Sequence, residues 1–362
     1  RSRSNPRSGG SSGRRWPTGS VRSLTDAPDD RSARAKLFDI ASRVGLLSPR
    51  RVPSLTVATT RWGPTAAAPF AAAALATPNR RALVDDHGAL SFADLDRRST
   101  DLARGMHRLG AERGERIGLA SRNHRDFVEV TVAAAKAGLG VVYLNTSFAA
   151  PQMCEVVARE QVTALVIDAV LLDLVRELEH DVTIVVAGLH GNAARPAASA
   201  EGHTLAGVRA RGRGGRPLRA SLPVPPVLLT SGTTGTPKGT VHTHVGCLAQ
   251  MSKELGYAFD VGTGDRFFWL TDIGWMMGPW EMIGVTCLGG TLLVFEGAPN
   301  WPRADRLFEI VEKHGLTHLG VAPTAIRLLR REGDDVADRR DLSSLRVLGS
   351  TGEPWDPESW TW

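Results

Sequence analysis

Between residues 92 and 109 the apolar positions Phe92, Leu95, Leu102, Met106 and Leu109 recur at spacings of three, seven and four, the period of one helix face. Ser91 and Asp94 form a capping box at its start, and Gly110 supplies a stop. Short β-rich runs then recur at 116–120, 140–144, 163–167, 182–187, 226–230, 266–270, 291–295, 316–321 and 345–349. Helical patterns separate most of them, at 125–137, 151–160, 169–179, 243–256, 279–288, 303–314 and 323–332. The alternation predicts an α/β fold of layered, parallel-rich sheets flanked by helices. In such folds ligands bind beyond the carboxyl ends of strands. Two unusual segments fall there: the polar run starting at Thr230, and Gly352-Glu353-Pro354 after the last strand. Residues 188–225 interrupt the alternation. They are rich in Gly, Ala, Pro and Arg and read as a surface connection, with Arg209, Arg211, Arg213, Arg216 and Arg219 as candidates to steer phosphate.

The segment from Thr230 to Thr240 reads TSGTTGTPKGT and follows the apolar run Val227, Leu228, Leu229. It has few apolar atoms with which to fill a core. Its small residues let the backbone approach a ligand closely, and its N–H groups and hydroxyls are the donors a polyphosphate needs. Lys238 adds a mobile positive charge, and Pro237 stiffens the turn beside it. Spacing excludes two other nucleotide motifs. A Walker A loop requires glycine before its lysine, where this chain has Pro237. Gly232, Gly235 and Gly239 do not fit the dinucleotide fingerprint.

The whole string resembles the phosphate-binding signature of the adenylate-forming (AMP-binding) superfamily: acyl-CoA synthetases, luciferases and peptide-synthetase adenylation domains. Residues 91–149 are similar to the first block of that superfamily, through Ser91-Phe92-Ala93-Asp94-Leu95, Gly114-Glu115-Arg116-Ile117, Lys136-Ala137-Gly138 and Leu144-Asn145-Thr146. Residues 265–302, Ala322 to Arg327, and Asp341 to Pro354 resemble short-chain acyl-CoA synthetases, whereas the LNTSFAAPQMCEVV stretch looks closer to long-chain fatty acyl-CoA ligases. The resemblance implies an ATP-dependent, AMP-forming acid–thiol ligase that activates a carboxylic or fatty acid through an acyl-adenylate, with Mg2+ as the ATP counter-ion and coenzyme A as co-substrate. It implies that Thr230, Ser231, Gly232, Thr233, Thr234, Gly235, Thr236, Pro237, Lys238 and Gly239 bind the nucleotide, with Thr233 and Lys238 in catalytic roles. It places Gly352, Glu353 and Pro354 along the adenine, and Trp275, Met276, Met277 and Gly278 around the acyl group. No metal ligand is identified. Asp272 and Glu281 are tempting acid/base residues, but caps or surface salt bridges explain them equally well. An adenylation domain that loads a carrier protein, and a non-catalytic nucleotide- or acyl-binding relative, are the alternatives.

The chain stops eight residues after Pro354. The superfamily's Tyr/Trp-x-Thr-Glu motif, ribose-binding aspartate and C-terminal lid domain would lie further on. Together with the missing initiating Met, this leads to the expectation of a fragment with little activity alone. The expected organisation is a basic, partly disordered tail at 1–62 with a short helix, then an incomplete N-terminal domain at 63–362. That domain divides into a first subdomain at 63–187, the connection at 188–225, and a phosphate-loop and acyl-pocket subdomain at 226–362.

Composition narrows the partners. The net charge of +6 is concentrated in residues 1–60, which carry +8, while the remainder carries −2. A basic tail on a near-neutral body argues against nucleic-acid binding. No run reaches the length of a membrane span, and the alanine-rich stretch at 66–76 reads as a packed helix, leaving peripheral membrane contact as the most that is expected. Cys154, Cys247 and Cys287 lack metal-ligand spacing and read as small buried hydrophobes in a reducing cytoplasm, where fatty-acid and lipid metabolism would place such a ligase. His242 and His244 flank the phosphate loop and read as capping or surface residues. Oligomeric state has no signature in the sequence.

Overall fold

The computed structural model describes residue 49 and residues 51–178, 181–188, 203–218, 223–229 and 238–362. The chain begins with α1 (Arg51–Trp62) and α2 (Ala67–Ala76), then the hairpin β1 (Arg81–Asp85) and β2 (Gly88–Ser91), and α3 (Phe92–Arg108). There follow β3 (Arg116–Ala120), α4 (Arg125–Ala137), β4 (Gly140–Tyr143), α5 (Ala150–Arg159), β5 (Val162–Asp168) and a 3-10 helix at Ala169–Val175. Next come β6 (Thr183–Ala187), β7 (His203–Thr204), α6 (Leu205–Gly212), β8 (Val227–Leu229), β9 (Gly239–Val241) and α7 (His244–Tyr257). The last part holds β10 (Arg266–Trp269), α8 (Met277–Cys287), β11 (Thr291–Leu293), α9 (Arg306–His314), β12 (His318–Val321), α10 (Pro323–Arg331), β13 (Val347–Ser350) and α11 (Pro357–Thr361).

These strands make two sheets, ordered β13-β12-β10-β11-β1-β2 and β7-β6-β5-β3-β4-β8-β9. All pairings are parallel except the edge pairs β1–β2 and β8–β9. Helices between successive strands supply the crossovers that parallel pairing requires. The α/β architecture expected from the alternation is therefore the one observed. The sheets do not follow the expected order of subdomains. β1 and β2 join the sheet of β10–β13, while β8 and β9 join the sheet of β3–β7.

Local rules account for the helix ends. At α3 the Ser91 hydroxyl accepts the Asp94 N–H at 3.1 Å, and the Asp94 carboxylate accepts back from the Ser91 N–H and hydroxyl. α4 is buried nearly throughout, including the ionisable residues Asp126, Glu129 and Lys136. Glu129 is sealed between Arg98 and Arg209, at 2.7 and 2.6 Å. Arg209 is thereby committed to a structural ion pair rather than to phosphate.

The segment 188–225 contains more structure than its composition suggests. α6 packs on α3 so closely that a Cβ on Gly105 would lie 2.0 Å from the Val208 carbonyl oxygen, and one on Gly212 would lie 1.7 Å from that of Asp101. The small residues that suggest a loop are the contact surface of two helices. No described helix is long and apolar enough to cross a membrane.

Candidate functional site

Thr230 to Pro237 lie outside the described residues, but both roots of that loop are placed. β8 and β9 pair antiparallel with Leu229 opposite Gly239, and Lys238 stands exposed where the chain enters β9. β9 leads into α7, whose first turn is capped by the Thr243 hydroxyl accepting the Gly246 N–H.

His244 is buried in that turn. Its Nδ1 accepts the Ala66 N–H at 3.1 Å and its Nε2 donates to the Val224 carbonyl at 2.8 Å. Burial lowers its pKa, which favours this neutral, doubly bonded ring. His244 is thus an internal tie between α2 and α7, not a surface residue. Cys247, one turn on, is buried, and burial raises its thiol pKa. Cys154 and Cys287 are half-buried, and none of the three cysteines forms a disulfide among the described residues.

A cavity of about 590 Å³ opens beside this strand pair, at the carboxyl ends of β8, β10 and β13. Leu228, Met251, Phe259, Trp269, Met277 and Trp280 form much of its apolar wall. Its polar lining includes His242, Gln250, Glu254, Ser350 and Thr351. A mostly apolar cavity with a few convergent polar groups is the usual form of a small-molecule site. Met276 and Met277, expected around the acyl group, both line it. Trp275 and Gly278 do not. Trp275 is half-buried in the preceding turn, and Gly278 is buried against Ile273, where a Cβ would fall 2.0 Å from the carbonyl oxygen.

Gly352-Glu353-Pro354 follows Ser350 and Thr351 directly, so the turn leaves from the cavity's edge. Gly352 has φ +106°, a left-handed backbone that other residues adopt only with strain. Glu353 pairs with Arg327 of α10 at 2.7 Å, so its side chain anchors the turn.

The two tempting carboxylates have distinct fates. Asp272 shapes the loop after β10, accepting the Gly274 N–H at 2.8 Å and the Thr146 hydroxyl. Glu281 is buried, not a surface salt bridge. It accepts the Trp269 N–H at 3.0 Å, and burial holds its carboxyl well above the usual range despite that bond.

A second polar cluster brings Ser121, His124 and Asp168 together, but not as a nucleophilic triad. His124 Nε2 faces Asp168 at 2.9 Å and Nδ1 accepts the Asp126 N–H. The Ser121 hydroxyl donates to Asp168 and also lies 3.3 Å from His124 Nε2, but with Nδ1 accepting, Nε2 carries the ring proton and cannot serve as its base. Among the described residues no group of three His, Cys, Asp or Glu side chains could hold a metal ion.

Asn123, which the resemblance reads as the start of the next helix, lies just before the His124 cap of α4 and bonds to the other sheet instead. Its Nδ2 donates to the carbonyls of Thr271 (2.6 Å) and Phe295 (3.2 Å), its Oδ1 accepts the Ile273 N–H (2.8 Å), and its own N–H reaches Glu296 (2.9 Å). It clamps the carboxyl end of β3 in one sheet to the loops that follow β10 and β11 in the other.

Comparison with known proteins agrees with this geometry. A family model described as AMP-binding enzyme matches residues 70–362. An acetyl-coenzyme A synthetase of Cryptosporidium parvum is 32% identical over 317 residues, 79% of this chain and 44% of that protein. One from Coprinopsis cinerea is 50% identical over 137 residues, 38% of this chain and 21% of that protein. The chain thus matches less than half the length of these curated relatives. Among solved structures, acetoacetyl-CoA synthetase from Streptomyces lividans superposes with a TM-score of 0.73 at 26% identity, over 82% of this chain and 48% of that one. VinN shares the fold, with a TM-score of 0.66 at 19% identity over 82% of this chain and 70% of that one.

Proposed function

Because the chain belongs to the AMP-binding enzyme family, we propose that it forms the nucleotide- and acid-binding part of an ATP-dependent, AMP-forming acyl-CoA synthetase. The observation that carries this reading is the apolar cavity at the strand ends, bordered by the roots of the phosphate loop, by Met276 and Met277, and by the residues leading into the Gly352 turn. The acid's carboxylate attacks the α-phosphate of ATP, forming the acyl-adenylate and releasing pyrophosphate. The thiol of coenzyme A then attacks the acyl carbonyl, loses its proton and displaces AMP.

The first step calls for neutralising charge on a polyphosphate, not for a protein nucleophile. Ser231, Thr233, Thr234 and Lys238 contact the β- and γ-phosphates, with Thr233 and Lys238 stabilising the charge that builds on departing pyrophosphate. Gly232, Gly235 and Gly239 let the backbone close on the phosphates, and Thr230, Thr236 and Pro237 shape the loop. The turn at Gly352, Glu353 and Pro354 lies along the adenine. Met276 and Met277 adapt to the acyl group as flexible apolar volume, while Trp275 and Gly278 hold the turn that presents them. Magnesium enters with ATP, held by phosphate oxygens and water. The synthetase names of the matched relatives favour a short acid over a long fatty acid.

Calorimetry with Mg-ATP tests the reading. The intact chain should bind, and Lys238→Ala should weaken binding about ten- to hundredfold, the worth of one charge-assisted hydrogen bond, while leaving the circular dichroism spectrum unchanged. An intact chain that binds no nucleotide, or a Lys238→Ala protein that binds equally well, would refute it.

A further inference from the structure

The cavity wall carries one carboxylate among its described residues, and it is unusually well fixed. Glu254 projects from α7, where Oε2 accepts the Trp280 Nε1–H at 2.7 Å and Oε1 accepts from Gln250 Nε2. The Gln250 amide is oriented in turn by Lys253, whose Nζ donates to Oε1 at 2.9 Å. Trp280 is locked from behind: it is 8% exposed and meets Trp269, Phe259 and Phe267 edge-on at 5.3, 5.5 and 5.9 Å. A side chain held this way cannot swing out to water without breaking the aromatic cluster.

No Lys, Arg or His among the described residues forms an ion pair with Glu254. Its two donors are neutral, and each carboxylate oxygen can accept a further hydrogen bond. Around it the wall is apolar, formed by Met251, Phe259, Trp269, Met276 and Met277. A hydrocarbon tail pressed into this space would strip water from a charge and offer nothing in return, which is costly. A tail bearing a donor replaces the lost water.

Resting on the synthetase reading above, we propose that Glu254 is a specificity determinant: the acyl pocket selects a carboxylic acid whose tail carries a hydrogen-bond donor, a hydroxyl or an ammonium, and Glu254 receives it. Gln250 and Trp280 are positioning residues that aim the carboxylate. The bland account, in which the Trp280–Glu254 bond merely staples α7 to α8, predicts no preference among tails.

Non-hydrolysable acyl-sulfamoyl-adenosines test this on the whole chain by calorimetry. Pentanoyl, γ-hydroxybutanoyl and γ-aminobutanoyl mimics, with their one-carbon homologues, have tails of matched length and differ at the terminus. At least one donor-bearing mimic should bind about tenfold more tightly than its methyl-ended partner, the worth of one good hydrogen bond to a charged group. Comparing the hydroxyl and ammonium arms identifies which donor is preferred. Glu254→Gln retains an acceptor for Trp280 but removes the charge, and should collapse the ratio to within about twofold. Equal or tighter binding of the methyl-ended mimics by the unaltered chain would overturn the proposal without need of any variant. A ratio unchanged in Glu254→Gln would reduce Glu254 to the staple. If no mimic binds, the synthetase reading itself fails and takes this inference with it.

Discussion

Replacing Lys136 with methionine removes a charge from the interior of α4, and the pH dependence of the effect can be worked out in advance. The Lys136 side chain is 1% exposed. Its Nζ donates to the Asp96 carbonyl and carboxylate at 2.8 and 2.6 Å, and to the hydroxyls of Ser99 and Thr100 at 2.9 Å each. Burial drives its pKa down from 10.5 to about 8, against the pull of Asp96 in the other direction. At ~1.4 kcal/mol per pH unit, that drop corresponds to about 3 kcal/mol. The Trp62 ring, 5.3 Å from Nζ, favours the ammonium, but such contacts are worth roughly 0.5–2 kcal/mol, so burial prevails. With the folded pKa below the unfolded one, the unfolded chain binds more protons between pH 8 and 10.5, and the contribution of Lys136 to stability rises across that window. Below it, the cost of the buried ammonium is present in full. Methionine is apolar and does not titrate, and Ser99 and Thr100 retain bonds to the Leu95 and Asp96 carbonyls. The thiols of Cys247 and Cys287 and the phenol of Tyr143, all raised by burial, make stability fall as pH rises, but they are common to both proteins and cancel in the difference. Urea unfolding followed by tryptophan fluorescence should therefore show Lys136→Met losing ground to the parent by up to about 3 kcal/mol between neutral pH and the top of the window. A stability difference that stays constant across it would refute the reasoning.

Two further outcomes follow from local geometry. Ser91→Ala removes the cap of α3 and should cost about 1 kcal/mol in urea unfolding. Because the Ser91 hydrogen bond is the main cause of the lowered Asp94 pKa, NMR titration should show that carboxyl moving back up. Asn123→Ala deletes three side-chain hydrogen bonds between the sheets and should cost roughly 2–4 kcal/mol, since it leaves buried backbone groups unpaired. Asn123→Asp should rescue little, because it turns an acceptor toward two carbonyls. An unfolding midpoint unmoved by Asn123→Ala would show that the sheets are held together elsewhere.

Much of the framework is legible in the chain because the information is local. α3 announces itself through its apolar stripe and capping box, and α4 occupies its expected residues 125–137. The run expected as a helix at 169–179 is a 3-10 turn ending at Val175. The hairpin β1–β2 goes unannounced. Its strands are five and four residues long, and β1 gains its place by pairing Leu83 with Leu292 of β11, a partner two hundred positions later. α6 is hidden by the opposite effect, since a glycine- and arginine-rich composition describes a loop and a tight helix contact equally well. Met276 and Met277, which the resemblance points to, line the cavity. Glu254 and Trp280 are not legible in the chain, because a carboxylate and an indole 26 residues apart acquire meaning only once α7 and α8 are packed.

The cavity is assembled from both sheets, and that dictates how its chemistry depends on the fold. Leu228 comes from the sheet of β3–β9, while Trp269 and Ser350 come from the sheet of β10–β13. Asn123 sits where the strand ends of the two sheets meet, and three of its four partners are backbone groups of the opposing sheet's loops. A ligand that fills the cavity bridges the same division, so it must favour the docked arrangement by an amount set by its own affinity. Substitutions at the clamp therefore act on binding as well as on stability, even though Asn123 does not line the cavity. The strand ends that line the cavity are also the seam of the molecule. Asn123, which ties the two sheets there, is a backbone-bonding amide that no apolar pattern along the chain would single out.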